Sequence, residues 1–283
     1  MRLEALAYVA NECDADMLRQ IGLPVYELQE LSREELDRLE VSGEELLLLA
    51  ARDETIRAAD RMAIAVAAYR NADFPGESLS GAGMVIEGFE EVDTSFLEKV
   101  YNRCHHIPWV IAETERCVIR ELAMQDIDAL FALYSQPGIT RFVEPLYSKN
   151  EESRFQEAYI SNMYGYYGYG MWLVTEKESG EVIGRAGLEH REFTEGIELE
   201  LGYVIAPKWQ RKGIATEVCT AILTFAETEL DFPRINALTD PKNTASSALL
   251  QKLGFRYLED TGVTGSRLRR YVRRLNHKNR QSY

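Results

Sequence analysis

Gly196-Ile-Glu-Leu-Glu-Leu-Gly-Tyr-Val-Ile-Ala-Pro-Lys-Trp-Gln-Arg-Lys-Gly-Ile-Ala-Thr-Glu-Val-Cys-Thr-Ala-Ile-Leu-Thr-Phe-Ala-Glu-Thr-Glu-Leu230 reads as a strand, a tight loop and a helix. From Ile197 to Ile205 the residues alternate. Ile197, Leu199, Leu201, Tyr203 and Ile205 share one face, and Glu198, Glu200, Gly202 and Val204 the other. Pro207 stops the strand, because it has no amide proton for the ladder. Past Gly213 the period lengthens: Ile214, Val218, Ile222, Phe225 and Leu230 mark one side of an amphipathic helix.

Gln210-Arg211-Lys212-Gly213-Ile214-Ala215 joins the two. The first amides of a helix have no internal partner, and the dipole places partial positive charge there. Gly213 lets the backbone approach a ligand, and Arg211 and Lys212 add charge. Such an end suits a phosphate. An ordinary strand-to-helix turn would use the same letters, and on the loop alone the two readings stand level.

Three further segments decide between them. Met171-Trp172-Leu173-Val174 with Ile183-Gly184-Arg185-Ala186-Gly187-Leu188 reads as a hairpin. Asn243-Thr244-Ala245-Ser246 opens a late helix, and Lys252-Leu253-Gly254-Phe255 closes it. Together with Gln-x-x-Gly-x-Ala at 210–215, these resemble, in register, the GNAT acetyltransferase superfamily. The wording is most similar to its branch that acetylates ribosomal-protein N-termini. The resemblance covers about residues 115–275. It implies an α/β fold with a mixed central sheet flanked by helices, and acetyl-CoA as cosubstrate without a metal.

The resemblance also implies roles. The backbone of Tyr203, Val204, Ile205 and Ala206 would pair with the pantetheine arm, the Val204 amide facing the thioester oxygen. Gln210, Arg211, Lys212, Gly213, Ile214, Ala215 and Thr216 would hold the pyrophosphate, with Asn243 and Ser246 also on the coenzyme. Phe142, Glu144 and Tyr147 would line the acceptor pocket. Many members carry a Tyr where this chain has Leu250, and Ser246 or water would then serve as the acid toward the leaving thiolate.

The base can be approached from the strand itself. An attacking amine must be neutral, and a carboxylate can take its proton. Glu198 and Glu200 share a face about 7 Å apart, and their proximity should raise the pKa of one of them. Glu200, in Glu-Leu-Gly-Tyr, has the position most like the family's catalytic residue and is the first choice, with Glu198 second. Both could also be solvent-facing residues of a half-exposed strand.

A length of 283 residues favours two domains, here residues 1–112 and 113–283. No apolar run reaches the roughly 18 residues of a membrane span, and no secretory signal pattern opens the chain. Cys13, Cys104, Cys117 and Cys219 lack metal-type spacing and read as reduced thiols of a cytoplasmic protein. The net charge of −14 argues against general nucleic-acid binding. A basic C-terminal end, Arg267, Arg269, Arg270, Arg273, Arg274, Lys278 and Arg280, reads as a charged edge strand with a solvated tail.

The first 112 residues alternate strands and short helices: strands at 5–9, 24–28, 45–50, 63–69 and 84–87, helices at 14–21, from Ser32, at 53–62 and at 93–106. That pattern implies a small Rossmann-like parallel α/β domain. Its second half faintly resembles haloacid-dehalogenase-like hydrolases, but the Asp-x-Asp of Asp14 and Asp16 lacks the expected neighbours, and no Gly-x-Gly-x-x-Gly is present. Regulation, partner binding or dimerisation is expected of this domain rather than catalysis. His105-His106 diverge on a helix end and suggest no metal, and residues 107–114 read as a linker.

Tyr164-Gly165-Tyr166-Tyr167-Gly168-Tyr169-Gly170 reads as a helix-to-strand connection with core-packed rings, an acceptor-binding rim being the other reading. His190 reads as an exposed or capped strand end, or as a proton relay. The expected activity is acetyl transfer from acetyl-CoA to a small-molecule amine or a protein N-terminus. A non-catalytic acyl-CoA sensor acting through the acidic N-terminal half is the alternative.

Overall fold

The computed structural model describes residues 2–13, 15–90, 92–193, 195–263 and 266–276. Two bodies separate, Met1–Trp109 and Val110–Tyr283.

In the first body the order is β1 (Ala5–Val9), α1 (Ala15–Arg19), β2 (Val25–Leu28), α2 (Arg33–Leu36), β3 (Leu46–Ala50), α3 (Asp53–Arg61), β4 (Ala65–Tyr69), β5 (Val85–Ile86) and α4 (Thr94–Cys104). All strand pairs are parallel, in the order β2-β1-β3-β4-β5. The continuous apolar run Leu46-Leu47-Leu48-Leu49-Ala50 follows from burial on both faces. Leu47 and Leu49 enter a core with Leu18 of α1 and Leu97 and Val100 of α4. Leu46 and Leu48 enter the other, with Ile56 and Ala59 of α3.

Chains that wind away in both directions from β1 and β3 leave a crevice beyond the carboxyl ends of those strands, the usual ligand position of such sheets. Here it holds the chain's own carboxylates. Glu12, buried, accepts from the Ala51 amide (2.8 Å) and the Thr55 hydroxyl (2.5 Å). Glu77 accepts from the Asp53 amide at the start of α3 (2.8 Å). Of the Asp-x-Asp pair, Asp16 forms a surface ion pair with Arg19 at 2.7 Å, and Asp14 lies outside the described residues.

The second body runs β6 (Val110–Glu113), β7 (Cys117–Arg120), α5 (Ile127–Tyr134), α6 (Lys149–Tyr159), β8 (Met171–Glu176), β9 (Val182–Phe193), β10 (Gly196–Ile205), α7 (Ile214–Glu229), β11 (Arg234–Thr239), α8 (Thr244–Lys252), β12 (Arg256–Val263) and β13 (Ser266–Arg274). The sheet order is β12-β13-β11-β10-β9-β8-β7-β6. Two expectations change here. The stretch read as a linker contains β6, whose Val110-Ile111-Ala112-Glu113 completes the sheet against β7. The helix expected from Glu151 to Tyr164 ends as α-helix at Tyr159 and continues as a π-helical turn over Ile160–Tyr167.

Every neighbouring pair is antiparallel except β10 with β11. Those two pair only at Leu199↔Ile235 and Glu200↔Asn236, and then diverge. Trp172, on the α7 side of the sheet, is fully buried, with its ring 5.2 Å from Phe225. The alternation places Met171, Gly187, Glu189, Glu200 and Gly202 on the opposite side, toward Tyr159 of α6. The basic C-terminal strand expected at an edge is instead an inner strand, β13 lying between β12 and β11; Arg270 on it is buried and tied into ion pairs, and Lys278 and Arg280 lie outside the described residues.

Candidate active site

Where β10 and β11 part, a cleft of about 540 Å³ opens. One wall is the loop leading into α7, another the start of α8, and a third residues 137–143 after α5. The loop wall is Gln210, Arg211, Gly213, Ile214, Ala215 and Thr216. Arg211 (φ +60°) and Gly213 (φ +84°) are both left-handed, with Lys212 between them. Alternating handedness gathers successive N–H groups on one concave side, an anion-binding shape. The Gln210 side chain donates to the Ile205 carbonyl at 2.8 Å, closing the loop onto the end of its own strand.

Most of the expected coenzyme residues come together here. Val204, Ile205, Asn243 and Ser246 line the cleft with the loop; Ala206 and Lys212 do not. Asn243 caps α8, its oxygen accepting from the Ser246 amide at 3.1 Å. One expected role is corrected. Ala206 N–H donates to Ile183, so alternation turns the Val204 N–H toward β9 as well. The amides directed to the open side are those of Tyr203 and Ile205.

Two side chains of this cleft carry chemistry that the sequence did not assign to them. Arg141 brings a cation to the wall formed by residues 137–143. Tyr203, expected to meet the pantetheine arm only through its backbone, sets its hydroxyl 2.8 Å from Ser246 Oγ. Burial pushes its pKa up, so it is a neutral donor. Leu250 is fully buried in the core and offers no acid.

The two glutamates part company. Glu198 accepts from both ends of the Arg234 guanidinium and from Asn236 Nδ2 (2.6 Å), with Arg270 at 3.5 Å. Burial alone would raise its pKa; these hydrogen bonds and charges outweigh it and hold the carboxyl below its usual range. That is a structural ion pair, the reverse of what a base needs. Glu200 stands at the last paired position before the strands diverge. Burial raises its pKa, the Arg191 guanidinium at 2.5 Å lowers it, Glu189 raises it, and the net direction is upward. The neighbour that raises it is therefore Glu189, directly opposite on β9, and not Glu198. A cross-strand partner cannot be read from spacing along one strand.

Glu189 in turn accepts from the Tyr159 hydroxyl at 3.0 Å. Phe155 (5.8 Å from Tyr159 between ring centres) and exposed Tyr147 (5.7 Å from Phe155) continue outward from there. Of the three acceptor residues, Phe142 lines the cleft, while Glu144 and Tyr147 lie outside it. Tyr164 and Tyr169 are buried core residues, and Tyr167 is exposed. His190 bonds to Tyr169 and packs edge-on against Tyr167 at 4.4 Å, and burial lowers its pKa. Among the described residues no three His, Cys, Asp or Glu side chains converge as metal ligands.

Comparison with known proteins agrees with this geometry. Residues 116–256 match the family described as the acetyltransferase (GNAT) domain. The chain is 30% identical over 147 residues to an uncharacterized N-acetyltransferase, YoaA, of Bacillus subtilis (strain 168), spanning 51% of this chain and 82% of that one. It is 27% identical over 157 residues to the [ribosomal protein uS5]-alanine N-acetyltransferase of Escherichia coli (strain K12), spanning 53% and 80%. Among solved structures, RimL, a ribosomal L7/L12 alpha-N-protein acetyltransferase in complex with coenzyme A, superposes with a TM-score of 0.51 at 18% identity, over 60% of this chain and 100% of that one. This last match speaks to the fold alone.

Proposed function

Because this chain belongs to the GNAT acetyltransferases, we propose that its second body moves an acetyl group from acetyl-CoA to a primary amine by direct attack, with Glu200 as general base. The acceptor is the α-amine of a protein N-terminus or a small-molecule amine. The observation that carries the reading is the position of Glu200, a half-buried carboxylate of raised pKa at the last pair before β10 and β11 separate, three residues along the strand from Tyr203 of the cleft lining.

The coenzyme's diphosphate sits on the loop amides, with Arg211 and Arg141 supplying charge from two walls. The pantetheine arm runs along the unpaired side of β10, and the N–H of Tyr203 or Ile205 meets the thioester oxygen. The amine comes from the side of Glu189, Tyr159 and Phe155. Its nitrogen attacks the carbonyl carbon as Glu200 takes the proton, and the C–N bond forms. The C–S bond then breaks. The Tyr203 hydroxyl, backed by Ser246, gives the thiolate its proton. A thiol of pKa near 8.5 leaves readily enough for this acid to help without being indispensable.

The cytoplasm is the compartment we assign, on the thiols of Cys104, Cys117 and Cys219. The test is thiol release from acetyl-CoA across a panel of amines, N-terminal peptides included. Glu200→Gln should keep coenzyme A affinity and cut turnover by roughly 10²-fold or more. Turnover that survives the substitution removes Glu200 from the role.

A further inference from the structure

Arg116, the residue before β7, reaches across to the coenzyme loop. Its backbone N–H donates to Glu217 Oε1 at 2.9 Å, and its Nε and Nη2 donate to Oε2 at 2.8 and 2.6 Å. The remaining nitrogen, Nη1, donates to the backbone carbonyl of Lys212 at 2.9 Å. Burial alone would raise the Glu217 carboxyl, but hydrogen bonds from Thr114 and Arg116 outweigh it and keep it below its usual range, so the carboxylate stays charged.

The consequence follows from peptide geometry. The Lys212–Gly213 peptide is trans and planar, so the Lys212 carbonyl and the Gly213 N–H point in opposite directions. Drawing the carbonyl back toward Arg116 aims that N–H the other way. The lining of the cleft agrees: from Gln210 to Thr216, Lys212 alone is absent from it. Gly213 suits the contact through its left-handed φ of +84°, while a Cβ there would only touch Arg116 Nη2, at 3.4 Å.

We propose that Arg116 and Glu217 are positioning residues for the coenzyme's diphosphate: Glu217 fixes the guanidinium, and the guanidinium fixes the Lys212–Gly213 peptide with its N–H turned into the cleft. This rests on the acetyl-CoA reading above. Neither residue need touch the coenzyme. A bare charge effect makes the opposite prediction for one variant. Glu217→Gln removes a negative charge beside an anion site, so Coulomb attraction alone would tighten binding. Loss of the brace would weaken it.

Coenzyme A affinity is measured by calorimetric titration of the intact protein, and KM with acetyl-CoA and with acetyl-pantetheine, which lacks the diphosphate. For Glu217→Gln we expect the coenzyme A Kd and the acetyl-CoA KM to rise about tenfold, with kcat and the acetyl-pantetheine KM held. Arg116→Lys, which keeps the charge but not the fork of donors, should do the same. Unchanged or tighter binding by Glu217→Gln overturns the proposal, and so does an equal loss with acetyl-pantetheine. A wild-type protein without coenzyme A affinity would overturn the functional reading as well, whereas normal wild-type binding with indifferent variants overturns this inference alone.

Discussion

Glu200 must be ionised to accept a proton, and its pKa is raised, so activity should fall as the pH drops through a value above the ordinary 4.5. The groups facing it are Arg191, Glu189 and the Leu238 amide, with Tyr159 behind Glu189. Removing the cation in Arg191→Gln should move the acid limb of the kcat/KM profile upward. Removing the anion in Glu189→Gln should move it downward. Limbs that shift together, or not at all, would detach the profile from Glu200. The sequence shows two glutamates on one strand face and shows it correctly. It does not show which one is neutralised, because Arg234 and Asn236 arrive on another strand, 36 and 38 residues later. Glu189 is hidden for the same reason: register across β9 and β10 exists only once they pair.

At the scale of elements, the loop into α7 is the most legible part of the chain, since a helix start and a glycine are local physics. Gly213 is left-handed, and an alanine there pays roughly 1–2 kcal/mol in backbone strain. Gly213→Ala should therefore lower stability by about that much in urea unfolding and weaken coenzyme A several-fold, while Gly213→Glu, adding bulk and a charge at the anion site, should abolish binding in the same titration. A stable Gly213→Ala protein with normal affinity would mean the conformation is not required. Other elements were less legible. β6 is four residues of modest alternation, recognisable as a strand only through its partner β7. The end of α6 widens into a π-turn near Gly165, where helical periodicity gives no warning. The central strands of the first body, β1, β3 and β4, each on a continuous buried apolar run, were readable to within about two residues: β1 is Ala5–Val9 in both.

For the molecule as a whole, the first body carries the strand order of a ligand-binding sheet with its crevice already filled by Glu12 and Glu77. Glu12→Ala leaves the buried Ala51 amide and Thr55 hydroxyl without their acceptor, at about 1–3 kcal/mol. Hydrogen exchange of β3 should accelerate accordingly, with coenzyme A affinity untouched; unaltered exchange would mean that water replaces the carboxylate. In the second body, the brace from Arg116 to Glu217 joins positions 101 apart in the chain. A loop whose shape depends on so distant a contact is expected to finish late in folding. A ligand that recognises only the finished loop has nothing to grip in the folding transition state. Saturating coenzyme A should therefore lengthen the native lifetime in stopped-flow experiments, steepening nothing on the refolding limb of the chevron and lowering only the unfolding one.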